Sequence, residues 1–249
     1  MVDRQRWPAR ASVRTAAVWA VLREELAGRP EGPLDVLDAG GGTGGFAVPL
    51  AELGHRVTVV DPSPDSLAAL VRRAAEAGVA DRVRPEQGDL ASLPELAGAG
   101  SVDLVLCHSV LEVVDDPAPA VQALAAVLRP GGAASVLVAN RTGAVFARAL
   151  TGHFDDARRA LADSAGRWGP RDAAVRRFAL EEITQLLASA GLPVAAVHGV
   201  RVFADLVAGS LLDTEPGAVD ALVALELAAS EVPAYRAVAT QLHVLARRG

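Results

Sequence analysis

The sequence of 249 residues predicts an α/β fold in which a mostly parallel, seven-stranded sheet carries helices on both faces. Three observations predict it. Short apolar runs alternate with helix-length stretches over residues 34–139. The first run stops in a cluster of glycines, Gly40-Gly-Gly-Thr-Gly-Gly45, ahead of a helical pattern. The second run, Arg56-Val-Thr-Val-Val60, ends on an acid, Asp61.

Taken in order, residues 11–26 place apolar side chains at helical spacing, include Trp19 and end at Gly28, which predicts one amphipathic helix. Leu34-Asp-Val-Leu-Asp38 is the first strand, and residues 46–53 form the next helix. Residues 56–60 are the second strand, 64–77 a helix, and Arg82-Val-Arg84 the third strand. Val102-Asp-Leu-Val-Leu-Cys107 reads as a buried fourth strand, opened by Asp103. A helix over 119–128 leads through the turn Arg129-Pro-Gly-Gly132 into the fifth strand, 134–138.

After Asn140 the rhythm breaks. Residues 141–178 mix Arg141, Arg148, Arg158, Arg159, Arg167, Arg171, Arg176 and Arg177 with Gly, Asp and Ala. A helix over 180–190 and a strand over 194–200 restore it, followed by a helix over 218–230 and a last strand over 240–246. With no repeat and no Ser/Gly linker, one domain (1–249) with an insertion is the simplest organisation. Its expected parts are an N-terminal helical lid (1–29), a core (34–139), an inserted cap (141–178) and the rest of the sheet (179–249).

Composition narrows the function classes. At 51% hydrophobic and 22% charged residues, the chain is neither disordered, collagenous nor a disulfide scaffold. No apolar run approaches the roughly 20 residues that cross a bilayer, so no membrane partner is expected. Residues 1–10 lack the apolar core of a signal peptide. A single cysteine, Cys107, cannot pair internally, which fits a cytoplasmic protein. The formal net charge of −6 argues against global attraction to nucleic acid and leaves only a local basic face. All 24 basic residues are Arg, which we ascribe to coding bias, and 4% aromatics make a poor stacking platform.

The chemistry concentrates in Val36-Leu-Asp-Ala-Gly-Gly-Gly-Thr-Gly-Gly45 with Asp61. Glycines between a strand and a helix let the backbone approach a ligand beside free helix N–H groups. An acid ending the second strand can accept both hydroxyls of a ribose. Gly40, Gly42 and Gly45 also fit the dinucleotide fingerprint. Asp38 separates the readings, because a carboxylate there repels a pyrophosphate and favours S-adenosylmethionine, with its sulfonium and ammonium.

Asp-x-Gly-x-Gly-x-Gly, the ribose acid and the Pro-Gly-Gly turn resemble the class I S-adenosylmethionine-dependent methyltransferases over most of the chain. The resemblance implies a Rossmann-like sheet with an antiparallel last strand and S-adenosylmethionine as cofactor. It places Gly40, Gly41 and Gly42 against the methionine part, Asp38 on the ammonium, Asp61 on the ribose, and Asp89 and Leu90, after Glu86-Gln-Gly88, around the adenine. Asp89 could instead be an ordinary turn acid. His108, at the end of the fourth strand, is either a cofactor contact or structural. Cys107 reads as a small buried residue, Trp19 as core or a lid contact, and His198 and His243 as strand residues. No metal ligands and no definite catalytic side chain emerge.

A narrower resemblance is to the tRNA 5-carboxymethoxyuridine carboxyl methyltransferases. It rests on Ser12-Val-Arg14 with Trp19, His108-Ser-Val-Leu-Glu112, Gly152-His-Phe-Asp155, Gly199-Val-Arg-Val-Phe203 with Asp205, and His243-Val-Leu-Ala-Arg247. It implies a cofactor contact for Arg14, which could equally be a surface residue. Two departures put the acceptor in doubt: Ala139 stands where the family has an aromatic residue, and scattered Arg replaces a Lys-rich run. The acceptor is therefore tRNA or a small molecule, with a non-catalytic nucleotide-binding protein as a third reading. Asn140, Arg141, His153, Arg176 and Arg177 are the candidate acceptor-binding residues. The Arg cluster suits phosphate or carboxylate, or is a solvated face balanced by Asp155, Asp156, Asp163 and Asp172. A carboxylate acceptor is ionised at pH 7 and needs no base; otherwise His153, beside Asp155 and Asp156, is the only candidate in the insertion.

Overall fold

The computed structural model of the chain describes residues 13–249, apart from the side chain of residue 213. The start of the predicted first helix, residues 11 and 12, lies outside the described residues. A 3-10 turn, Val13–Thr15, leads into α1 (Ala16–Ala27), β1 (Asp35–Ala39), α2 (Ala47–Glu52), β2 (Arg56–Asp61) and α3 (Pro64–Glu76). Then come β3 (Val83–Gln87), a 3-10 turn (Leu90–Ser92), α4 (Leu93–Ala97), β4 (Val102–His108), α5 (Pro117–Val127) and β5 (Leu128–Ala139). The chain ends with α6 (Arg141–Leu150), α7 (Phe154–Ala162), α8 (Leu180–Ser189), β6 (Val194–Val200), α9 (Gly209–Thr214), α10 (Ala218–Ser230), α11 (Pro233–Val238) and β7 (Gln241–Arg247).

The strands form one sheet in the order β3-β2-β1-β4-β5-β7-β6. The first five are parallel neighbours. β7 runs against both of its neighbours. Arg248 and Thr240 bond to Gly132 and Asn140 of the β5 segment in opposite order, and Arg247 and Thr240 do the same with Pro193 and Arg201 around β6. The mostly parallel sheet with an antiparallel last strand is therefore as the sequence predicts.

The chain divides into two compact units. One comprises Glu31–Val138, Asp172–Ala196 and Val244–Gly249; the other, within the described residues, comprises 13–30, Ala139–Arg171 and Val197–His243. In the first of these, β1, β4 and β5 are buried on both faces, as strands covered by helices on each side must be. At the amino-terminal end of these strands Arg129 bonds to Asp103 and Asp35, at 2.6 and 2.9 Å, and Asp35 also takes Arg56 at 2.7 Å. Asp103 thus ties strands together.

Three local differences from the sequence reading have physical causes. α5 starts at Pro117, two residues early, because first-turn N–H groups have no intrahelical partner to lose; Asp116 caps it through Ala118 N–H. β3 runs on through Pro85, which an edge strand tolerates. The predicted Arg129–Gly132 turn is a bulge inside a longer strand: Val102 pairs with Leu128 and Leu104 with Ala133, so Asp103 alone faces the residues between.

In the second unit α1 packs against α10, and Trp19 is buried as core. Glu226 of α10 is 1% exposed, and its carboxylate accepts the N–H groups of Val202, Phe203 and Ala204. That holds the turn after β6, where Arg201 takes φ 61°. His198 and His243 face each other across β6 and β7 with ring centroids 5.8 Å apart. The insertion contains α6 and α7 packed together, then an irregular run to residue 179.

Candidate active site

The carboxyl ends of β1, β2 and β4 bring the glycine run, Asp61 and His108 to one edge of the parallel sheet, where ligands bind in open α/β sheets. Gly40 has φ 74°, and a Cβ there would lie 2.4 Å from Val110 Cγ2. A Cβ on Gly41 would lie 2.5 Å from the Asp38 carboxylate. Bare backbone is thus required. By contrast, a Cβ on Gly45 would meet nothing within 4 Å, whereas one on Gly44 would strike Leu70 at 2.3 Å. The third glycine of the dinucleotide fingerprint exists for tight helix–strand packing, and Gly45 does not need to be glycine for that.

Asp38 is buried, and among the described residues its Oδ2 has no hydrogen-bond partner. Burial first, then the nearby Asp61, pushes its carboxyl up to about 7, against a stabilising bond from the Ala47 N–H. An orphaned buried carboxylate oxygen beside exposed backbone fits a cationic ligand group, as the ammonium of S-adenosylmethionine requires. Asp61 Oδ2 accepts Gly42 N–H and Oδ1 accepts Ser63 N–H, both at 2.9 Å. A carboxylate has about four acceptor positions, so two remain for a diol.

Beside the loop lies a cavity of about 220 Å³ walled by Asp89, Leu90, Leu93, Val110, Val113 and Val114, with Gly40 and Gly88 in its floor. Its mostly apolar wall suits a flat heterocycle. Asp89 lines it and also caps the 3-10 turn through Ser92 N–H at 3.1 Å, so the turn-acid and pocket readings hold together. Leu93 and the three valines were not singled out from the sequence. For the valines the signal is the apolar run Val110-Leu-Glu-Val-Val114, which on sequence alone looks like core.

His108 Nε2 meets Ser135 Oγ at 2.9 Å, and its ring stands edge-on to Phe46. Burial pushes the imidazole down to about 3, so it is neutral at pH 7. Ser109 follows in the left-handed region at φ 59°, a conformation a serine adopts at a cost. Cys107 is fully buried, and burial raises its thiol, so it is no nucleophile.

The expected acceptor-binding residues fare differently. Asn140 is 3% exposed and spends its side chain on structure: Oδ1 caps α6, and Nδ2 donates to Ala237 and Ala239 carbonyls. Arg177 is likewise turned inward, bidentate to Asp172 at 2.7 and 2.9 Å. Arg176 donates to the Asp115 carbonyl. In the structure the side chains of Asn140 and Arg177 thus serve as internal ties. Arg141 is partly buried in α6, and its charge reaches Asp163, whose carboxyl is held low chiefly by the Arg167 N–H. Arg14 is exposed and pairs with Asp205, which also takes Arg201 at 2.6 Å. His153 is exposed, bonds to Thr151 Oγ1 and lines a cavity of about 480 Å³ with Arg148, Arg159, Trp168 and Arg171. Among the described residues no cluster of His, Cys, Asp and Glu could hold a metal, and no helix is long and apolar enough to cross a membrane.

Comparison with known proteins bears on this site directly. The Methyltransferase domain family matches residues 36–132, the glycine loop through the β5 bulge. The tRNA 5-carboxymethoxyuridine methyltransferase of Escherichia coli K12 is 33% identical over 246 residues, covering 96% of this chain and 89% of that protein. A ubiquinone biosynthesis O-methyltransferase of Methylocella silvestris is 36% identical over 181 residues, 72% of this chain and 65% of that protein. Among solved structures, magnesium protoporphyrin IX methyltransferase from Synechocystis with bound S-adenosylhomocysteine superposes with a TM-score of 0.61 at 18% identity, over 96% of this chain and 83% of that one. With the glycine loop, the strand-end acids and the sheet order all in agreement, the chain belongs to the class I S-adenosylmethionine-dependent methyltransferases, and S-adenosylmethionine is its cofactor.

Proposed function

We propose that this methyltransferase acts on tRNA and methylates the carboxylate of a 5-carboxymethoxyuridine. The observation that carries the reading is the reach of the similarity to the Escherichia coli tRNA enzyme, 96% of this chain and 89% of that one. Likeness of that extent includes α6, α7 and the C-terminal segments as well as the cofactor half. A cytoplasmic location accompanies this reading.

Bound S-adenosylmethionine supplies an electrophilic methyl on its sulfonium. The protein's part is to hold and align. Asp38 takes the ammonium, the backbone at Gly40, Gly41 and Gly42 lies along the methionine part, and Asp61 takes the ribose hydroxyls. Asp89 and Leu90 frame the adenine with the three valines. His108 orders the end of β4 through Ser135. Alignment and exclusion of water then provide most of the acceleration. A carboxylate acceptor, with an ordinary pKa of roughly 4, is already ionised at neutral pH. That suits a site whose histidine, His108, is held neutral far below pH 7 and takes up no proton there.

The test is incubation of the protein and S-adenosylmethionine with tRNA carrying 5-carboxymethoxyuridine, followed by mass spectrometry of the nucleosides. A gain of one methyl on that nucleoside is expected. Methylation of a small-metabolite extract with none on the tRNA would favour the second reading, a small-molecule O- or carboxyl methyltransferase. The match to ubiquinone O-methyltransferases supports that alternative.

A further inference from the structure

We propose that a groove in the insertion, walled by α6, α7 and residues 163–171, binds the phosphate backbone of an RNA strand. The choice of RNA rests on the tRNA reading; the anion site rests on geometry alone. Two adjoining cavities, of about 480 and 600 Å³, share Arg159, Trp168, Gly169 and Pro170 as a common wall. A continuous groove of that kind suits a chain of phosphates better than a single small anion.

Its charge is opposite to that of the protein. The first cavity is lined by three arginines, Arg148, Arg159 and Arg171, against one carboxylate, Asp156, in a chain of net charge −6. Among the described residues Arg171 makes no ion pair. Arg148 lies over the Trp168 ring, its guanidinium carbon 3.8 Å from the centroid. Stacking uses the face of a guanidinium and leaves its in-plane N–H groups aimed outward, the arrangement that takes a phosphate bidentately. Arg159 is paired with Asp156 at 3.0 Å, which offsets part of its charge. Phe154, the residue after the cavity-lining His153, stands 71% exposed.

The roles differ residue by residue, so the test can separate them. A fluorescent, unmodified anticodon stem–loop RNA is titrated with wild type, Arg148→Ala, Arg171→Ala and Asp156→Asn across a salt series. Each arginine variant is expected to bind roughly tenfold more weakly. Each lost phosphate contact should reduce the slope of log K against log salt by about 0.7–0.9. Asp156→Asn is expected to bind more tightly, since it removes the only carboxylate that lines the first cavity; a purely structural Asp156 would give the opposite sign. S-adenosylhomocysteine affinity, measured by calorimetry, reports that each variant is folded and should not change. Wild-type affinity and slope in both arginine variants, weaker binding by Asp156→Asn, or no binding by wild type at low salt would each overturn the groove. The outcomes also separate the two readings. Methylation of tRNA with arginine-independent binding removes the groove and keeps the acceptor, whereas arginine-dependent binding without tRNA methylation does the reverse.

Discussion

At Asp38 burial and the neighbouring Asp61 oppose ionisation, and the Ala47 N–H favours it. The folded chain therefore keeps this proton up to about pH 7, while the unfolded chain releases it in the usual carboxylate range. Between those limits the unfolded state binds fewer protons, so the stability of the ligand-free protein should fall as pH rises to about 7 and then level off. A cation placed against the carboxylate reverses the preference. Affinity for S-adenosylhomocysteine should accordingly rise about tenfold per pH unit up to about pH 7 and flatten above. Calorimetry from pH 5.5 to 8 checks this, with Asp38→Asn expected to bind weakly and without that slope. Asp61→Ala is a different experiment, because two backbone N–H groups also lose their acceptor. It should weaken cofactor binding by on the order of 1.5–3 kcal/mol per hydroxyl bond lost, with circular dichroism unchanged. Equal affinity in the variant would place the ribose elsewhere.

Elements owe their positions to small residues at close approaches. In α6 a Cβ on Gly143 would lie 2.1 Å from the Ala239 carbonyl oxygen, within the same unit. Gly143→Ala should therefore cost roughly 1–3 kcal/mol, seen as a lower unfolding midpoint in urea, with little change if α6 simply shifts outward. The parallel strands were legible because burial on both faces gives apolar runs such as Leu104–Cys107, and the glycine loop because its glycines cluster between a strand and a helix. α6 and α7 were not legible. Residues 141–162 mix Arg, Asp and Ala in a way that fits a solvated loop as well as a helix, and only Asn140, as a cap, marks the start of α6. Nor does the sequence show the internal partners of Asn140 and Arg177, since a polar residue in an inserted segment looks the same whether it faces a ligand or the protein. The wall of the cavity beside the glycine loop was not legible for the opposite reason, since Val110, Val113 and Val114 look like core.

For the whole molecule, family membership predicts which ligand stabilises it. S-adenosylhomocysteine at 100 times its dissociation constant should add about 2.7 kcal/mol of apparent stability, and NAD none. Thermal melts in both ligands make the comparison, and a shift with NAD alone would contradict the role of Asp38 in excluding a pyrophosphate.

The division into units has a consequence for synthesis. Residues 31–138 are one continuous stretch of the first unit, and β1 to β5 lie almost wholly within it. Yet β7 is split between the units, with residues 241–243 in one and 244–247 in the other. Neither can be finished until residues 241–247 have left the ribosome. Until then β5 presents an unpaired backbone edge, apolar on both faces. A nascent chain that has emerged only as far as residue 240 therefore carries an open sheet edge, and closing that edge should wait on the emergence of β7.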